Sequence, residues 1–396
     1  MKILMLTPYL PYPLLSGGQI RSYNLLKNLA QKHEITLVAL IKHDNEKRYI
    51  KNISAFCNRV IVCKRPEKPW TIQNILKTGF GKYPFLVVRN FSSEAKNAVV
   101  EELRQQNFDL IHAETFYVMP HIPETSVPIL LVEQTIEYLV YQHFVETISF
   151  PPLRFLFSFD VDKIRYWEEY YWKRASRVVA MSLPDKQIME KVANLEVSIV
   201  PNGVDTNVFS FQKKRIGPNP KILFVGNFKW LQNREAAKEL IHNIWPLIQK
   251  QIPLAQLWIV GHDPSPDILK FKSKTVQIAE SMKDIRMAYR QSDVLLAPIF
   301  GPGGTRYKIL ESMATGLPVI TTPQGIEGLG VTDGKEALVR NHAESLSQAT
   351  VTVLKDEKKY KQLARNANLL VRKTYSWPMI AKALDSIYEA VARKLV

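Results

Sequence analysis

Cysteine is scarce: Cys57 and Cys63 are the only two in 396 residues. Neither has a second metal-ligand residue type arranged around it. The pair reads as buried free thiols in a reducing compartment, not as a disulfide scaffold. Long apolar runs are missing as well. No stretch reaches the roughly eighteen residues that a helix needs to span a bilayer. The opening MKILMLTPYLPYP has a short apolar run broken by Pro8, Pro11 and Pro13. A signal peptide needs a longer apolar stretch and a small-residue cleavage site, so this segment reads as a first β-strand and the chain is expected in the cytoplasm. No internal repeat, low-complexity tract or basic arm stands out. The net charge of +16 is spread over both halves, whereas a nucleic-acid binder gathers its charge into one patch. That spread suits solubility, anionic phosphate ligands or loose attraction to an anionic membrane. Nucleic acid is not expected as a partner.

What is present is globular: 46% hydrophobic and 23% charged residues, in a chain long enough for two domains. Short β-branched runs recur between helix-length segments. The first set is 3–6, 35–41, 60–62, 110–112, 129–132, 178–181 and 197–200. A charged, Gly- and Pro-rich stretch follows Phe211, and a second set runs through 222–225, 257–260, 276–278, 294–296 and 319–321. Strands apolar on both faces and alternating with helices call for parallel sheets covered by helices. The fold class is therefore α/β, with two doubly wound Rossmann-like domains. The expected division is a first domain over 1–205, a linker over 206–220, a second domain over 221–375 and a closing helix over 376–396. Ligands of such sheets sit beyond the carboxyl ends of the strands, which points to a cleft between the domains.

The most informative stretch is FGPGGTRYKILESMATG, from Phe300 to Gly316. Gly301, Gly303 and Gly304 permit a turn free of Cβ atoms. Thr305 can cap the following helix, whose free amides then face an incoming anion. Arg306 and Lys308 add two cations suited to a diphosphate. Glu311, one turn on, is placed to accept hydrogen bonds from a ribose diol. A second glycine pair, Gly17 and Gly18, opens a helix after the first strand and gives the same kind of anion-facing terminus.

With these residues in view, the chain resembles the retaining, GT-B-fold glycosyltransferases of glycosyltransferase family 4. The markers are TPYLPYPLLSGGQIRSYNLLKNLA at the start, VPNGVD at 200–205, FVGNFKW at 224–230, WIVGHDP at 258–264 and GGTRYKILESMATGLPVITTPQGIEGL at 303–329. The resemblance implies a nucleotide-sugar donor held mainly by the second domain and a final helix returning to the first. It implies donor contacts from Gly17, Gly18, Gly226, Asn227, Gly303, Gly304, Thr305, Ile309 and Glu311. Glu311 matches the second glutamate of the family's E-x7-E motif, and Gly303 stands where the first would be. Asn227 stands where many relatives carry an arginine, so Arg306 and Lys308 are expected to hold the diphosphate. In Phe108–Glu114, His112 matches one histidine of a D-x-x-H-x-H stretch, and Glu114 falls on the family's active-site histidine. His112 reads equally as a satisfied strand-end histidine, and Glu114 as an acceptor-polarising group or a loop holder.

The expected chemistry is hexosyl transfer with retention, without metal or cofactor, from a nucleoside-diphosphate sugar to a glycan or lipid-linked acceptor in cell-surface polysaccharide or glycolipid synthesis. Arg306 and Lys308 are assigned to the leaving phosphate, and His112 and Glu114 to the acceptor side. A non-catalytic sugar-nucleotide-binding partner subunit and a UDP-sugar epimerase of the same fold stand as alternatives. Two aromatic and basic segments, 64–89 and 147–177, fit either helix packing or peripheral contact with the inner face of an anionic membrane.

Overall fold

The hydrophobic periodicity resolves into alternating strands and helices throughout, in a computed structural model that describes residues 1–193, 195–280, 282, 284–301 and 306–393. The chain divides into two units. The first comprises Met1–Pro201 with Ile380–Val396, and the second is Asn202–Met379. Between Asp205 and Pro220 no helix or strand forms.

In the first unit the strands are β1 (Lys2–Thr7), β2 (Glu34–Ile41), β3 (Arg59–Lys64), β4 (Leu110–Glu114), β5 (Ile129–Val132), β6 (Arg177–Ala180) and β7 (Val197–Ile199). They pair in parallel in the order β3-β2-β1-β4-β5-β6-β7. The inner strands are buried on both faces, as their unbroken apolar runs require: every residue of β1 and β2 after the first is buried. Leu4, Leu6, Val38, Ile111, Leu131 and Val178 form the centre of this core with Phe116, Trp172 and Met189 packed against them.

The second unit repeats the plan with β8 (Lys221–Asn227), β9 (Gln256–His262), β10 (Val276–Ala279), β11 (Val294–Ala297), β12 (Val319–Thr321) and β13 (Leu338–Val339). All pairs are again parallel, in the order β10-β9-β8-β11-β12-β13. Both sheets are thus doubly wound and Rossmann-like. The order reverses between β1 and β4 in one unit and between β8 and β11 in the other.

The last helix, Trp377–Arg393, enters the first unit from Ile380 onward. It is fastened there by side chains rather than by apolar contact alone. Asp385 accepts from Lys32 at 2.6 Å and bonds the His33 ring at 2.8 Å, and the Tyr388 hydroxyl bonds Nδ1 of His112. Among the described residues no helix is long and apolar enough to cross a membrane.

Candidate functional site

An open parallel sheet binds its ligand beyond the carboxyl ends of the strands, where the strand order reverses. In the second unit that rule selects the loops after β8 and β11. Strand β8 ends on Gly226 and Asn227, and Gly226 lies in register with Gly261 of β9. A Cβ at Gly261 would meet the Gly226 carbonyl oxygen at 1.6 Å, so glycine alone allows this approach. The Asn227 side chain is consumed in the turn, its Oδ1 accepting from the Lys229 amide at 3.0 Å. Its carbonyl accepts from Nδ2 of Asn233 at 2.8 Å. Asn233 sits in the first turn of the helix Leu231–Glu239, and its Oδ1 accepts from the Lys308 ammonium at 2.6 Å.

That contact joins the two switch-point loops. Lys308 belongs to the first turn of the helix Tyr307–Thr315, and its ammonium also lies 4.5 Å above the Phe224 ring. Burial pushes the Lys308 ammonium down to about 7, and the Arg306 charge adds to that while Glu311 opposes it. Arg306 occupies the cap position of the same helix without a capping side-chain bond, and its Nη2 donates to the Gly301 carbonyl at 2.9 Å. Gly303, Gly304 and Thr305 lie outside the described residues. Ile309 is fully buried in the core beneath the helix. Glu311 accepts a hydrogen bond from the buried Tyr289 hydroxyl at 2.6 Å, and burial raises its pKa.

In the first unit the corresponding loops follow β1 and β4. Ser16 caps the helix Gly17–Leu29, accepting from the Gln19 amide. Gly18 is held where a Cβ would lie 2.3 Å from the Tyr9 hydroxyl and 2.7 Å from Oε1 of Gln134. Gln134 in turn donates to Tyr9 at 2.7 Å and to Oε2 of Glu114 at 2.7 Å. His112 and Glu114, two residues apart on β4, face the same side of the sheet. Nε2 of His112 and Oε1 of Glu114 are 3.1 Å apart, and neither side chain has any exposed surface. Burial pushes the Glu114 carboxyl up, but His112, Arg21 and Gln134 outweigh it and hold the group below its ordinary range. Arg21 is itself locked into the floor of the unit, donating to the Val200 and Pro201 carbonyls at 3.1 and 2.9 Å.

Beyond these, three residues of the site have no counterpart in the sequence reading. Asn233 and Tyr289 hold Lys308 and Glu311, and their signal is tertiary: each lies on a helix that carries no motif of its own. The third is Glu168, which with Glu133 forms a buried carboxyl pair behind the β5 loop. Glu133 accepts from the Trp172 indole at 3.0 Å and from the Phe116 amide at 3.3 Å. Glu168 accepts from the Glu137 and Tyr138 amides at 2.8 and 3.1 Å, at the start of the helix Glu137–Glu146. Burial pushes Glu133 up to about 8 and Glu168 well above its ordinary value.

Two family models match the chain: Glycosyltransferase Family 4 over residues 15–208 and Glycosyl transferases group 1 over residues 219–356. Phosphatidyl-myo-inositol mannosyltransferase of Mycobacterium leprae is 25% identical over 243 residues, which span 58% of this chain and 62% of that protein. Among solved structures, sucrose-phosphate synthase from Thermosynechococcus elongatus superposes with a TM-score of 0.76 at 16% identity, covering the whole of both chains. Anabaena Alr3699/HepE in complex with UDP-glucose does so with a TM-score of 0.67 at 16% identity, covering 98% of this chain and all of that one. With two Rossmann-like sheets of this order and family models matching across both, the chain is a glycosyltransferase of the GT-B fold.

Proposed function

We propose that this enzyme is a family 4 glycosyltransferase that moves a hexosyl group, with retention and without a metal, from a nucleoside-diphosphate sugar to a glycan or lipid-linked acceptor. Cell-surface polysaccharide or glycolipid synthesis is the process it would serve. The observation that carries the reading is the Asn233–Lys308–Arg306 cluster at the β8/β11 switch point. Breaking the anomeric bond builds negative charge on the β-phosphate. An ammonium and a guanidinium fixed at a helix start meet that charge without reorganising, and removing one such donor typically costs about 3 kcal/mol of transition-state stabilisation. Glu311, braced by Tyr289, is assigned to the ribose hydroxyls. Gly17 and Gly18 open the first unit's own helix with the same anion-facing kind of terminus. Support comes from the UDP-glucose complex of HepE and the mannosyltransferase similarity, each a property of that protein.

Retention follows from a same-face attack, in which the acceptor hydroxyl passes its proton to the departing phosphate oxygen. Glu114 and His112 act in this scheme by position. With both carboxylate oxygens of Glu114 already bonded, the pair orients the β4 edge beside the acceptor. Thermal-shift screening against UDP-, GDP-, ADP- and TDP-sugars tests the donor class, because a ligand bound only to the folded form raises the melting temperature. Arg306→Ala should abolish that shift and turnover while the ligand-free melting temperature stays in place. Full activity in this variant would refute the phosphate assignment.

The acceptor side also carries a face suited to an anionic bilayer. The helix Ile72–Phe80 exposes Ile72, Ile75, Leu76 and Phe80, and the helix Pro151–Arg174 exposes Leu153, Phe155 and Leu156. Lys163 ties them together by donating to the Thr78 and Gly81 carbonyls at 2.6 and 2.8 Å. Apolar side chains interleaved with Lys77, Lys82 and Arg154 match an anionic lipid surface. The protein should float with phosphatidylglycerol vesicles at low salt, and Phe80→Glu with Phe155→Glu should release it. Protein left unbound at low salt would end this part of the proposal.

A further inference from the structure

Two arginines at the carboxyl edge of the first sheet are provided with almost no partners. Arg65 directly follows β3, and Arg89 closes the short helix Phe85–Val88. A guanidinium offers five N–H donors. Arg65 spends one on Oδ1 of Asn90, the residue next to Arg89, and Arg89 spends one on the Tyr141 hydroxyl at 3.0 Å. Nε of each is buried with no hydrogen-bond partner. Among the described residues neither guanidinium has an ion-paired carboxylate.

The groups around them act at a distance and leave the guanidinium donors unfilled. The Tyr117 phenol stays neutral, its pKa pushed far up by burial. Glu137 and Asp160 both act on Arg89, yet burial pushes Glu137 up to about 7 and raises Asp160 as well. Glu46, which acts on Arg65, has Oε1 committed to the Lys42 and His43 amides. Asp160, the acid acting on Tyr141, accepts from the Phe85 amide at 2.9 Å. Burial lowers the Arg65 value most, Tyr117 then raises it, and the Arg89 charge lowers it again. Two half-buried guanidiniums with unpartnered Nε donors and no paired carboxylate are a familiar arrangement where a planar or tetrahedral oxyanion is to be gripped.

We propose that Arg65 and Arg89 form a phosphate subsite for the acceptor, whose chemical class is then a phosphate ester or diphosphate ester. This rests on the acceptor-side reading of the first unit and narrows it. Position supports the assignment. Arg65 follows β3, Tyr117 follows β4, and Glu137 and Tyr141 follow β5. All lie at the edge that also carries Glu114 and Gly18. Two guanidiniums match the charge of a phosphate dianion, and the Tyr117 hydroxyl is available beside them to donate to a bridging or terminal oxygen.

Arginine modification by phenylglyoxal, mapped by peptide mass spectrometry, tests this on the intact enzyme. Three probes are used: inorganic pyrophosphate, geranyl phosphate and glucose 1-phosphate. Protection of Arg65 and Arg89 by either ester supports the subsite. The ester that protects at lower concentration tells a lipid-borne phosphate from a sugar-borne one. If pyrophosphate protects Arg306 while no probe protects Arg65 or Arg89, the subsite is refuted and the donor assignment stands. If Arg306 alone goes unprotected, the donor assignment fails instead. Arginines that resist the reagent in the free protein also refute the subsite, because a site closed to phenylglyoxal is closed to a phosphate ester. As a second measurement, Arg65→Gln with Arg89→Gln should weaken geranyl phosphate binding at least tenfold by calorimetry. The donor-induced thermal shift should be unchanged, and a merely structural pair would lower the ligand-free melting temperature instead.

Discussion

Raising the pH from 6 to 9 should weaken donor binding steeply, because Lys308 must carry a proton to hold a diphosphate. In the empty site burial pushes its ammonium down to about 7. A bound diphosphate restores its value to at least the ordinary lysine range of about 10.4. Only the protonated fraction of the empty enzyme is ready to bind. With a free-state value of about 7 that fraction is about one half at pH 7, about a tenth at pH 8 and about a hundredth at pH 9. Donor affinity should fall about 90-fold between pH 6 and pH 9, which is about 2.7 kcal/mol. A nucleotide-sugar has no phosphate proton to lose in this interval, so the change belongs to the enzyme. Calorimetry at pH 8 in two buffers of different ionisation enthalpy should show uptake of about 0.9 proton per donor bound. Lys308→Arg, which stays charged throughout, should remove both the uptake and the slope. A flat affinity profile with no proton uptake in the native enzyme would refute the reasoning. The same group acts in the opposite sense on the empty protein: its depressed value penalises folding below about pH 7, and that penalty fades as the pH rises toward about 10.4.

Three further outcomes follow from the geometry. Glu311→Ala should weaken nucleotide binding by about 2 kcal/mol through lost charged hydrogen bonds. Competition assays should find the loss much smaller for a 2′,3′-dideoxy nucleotide, and an equal loss would remove Glu311 from the ribose. Gly18→Ala places a methyl 2.3 Å from the Tyr9 hydroxyl, so it should displace Tyr9 and Gln134 and cut kcat/KM more than tenfold; native turnover would show that this loop is not held against the reacting groups. Glu133 and Glu168, protonated in the folded protein because burial raises both, should make stability fall as pH rises from about 4.3 to about 8, since the unfolded chain has already released those protons. Glu168→Gln should flatten that slope in urea titrations, and an unchanged slope would assign the pH dependence elsewhere.

The inner strands were legible because they are buried on both faces and so read as unbroken apolar runs; β13, two residues long, is too short to leave such a trace. The loop after β11 stood out because glycines, cations and an acid follow a strand in one short run. Asn233 was not, since its bond to Lys308 spans 75 positions and an asparagine in a helix's first turn reads as a polar surface residue. Glu168 escaped for the same reason: 35 residues from Glu133, it becomes that residue's partner only once β5 and the helix Pro151–Arg174 pack. Arg65 and Arg89 each looked like a solvated cation beside aromatic residues. Their shortage of partners is a property of the folded environment that no spacing encodes.

The crossing of the last helix from one unit into the other has a bearing on biosynthesis. Residues 1–201 emerge from the ribosome well before Asp385 and Tyr388, which complete their cover. Until then His33 lacks Asp385 and His112 keeps only Glu114, and the surface awaiting Ile380, Leu384 and Val391 is open to water or to a chaperone. A fragment ending at Pro201 should therefore be insoluble alone and rescued by a supplied peptide covering 377–393, while a permuted gene placing that helix ahead of Met1 should let the first unit mature as it is made.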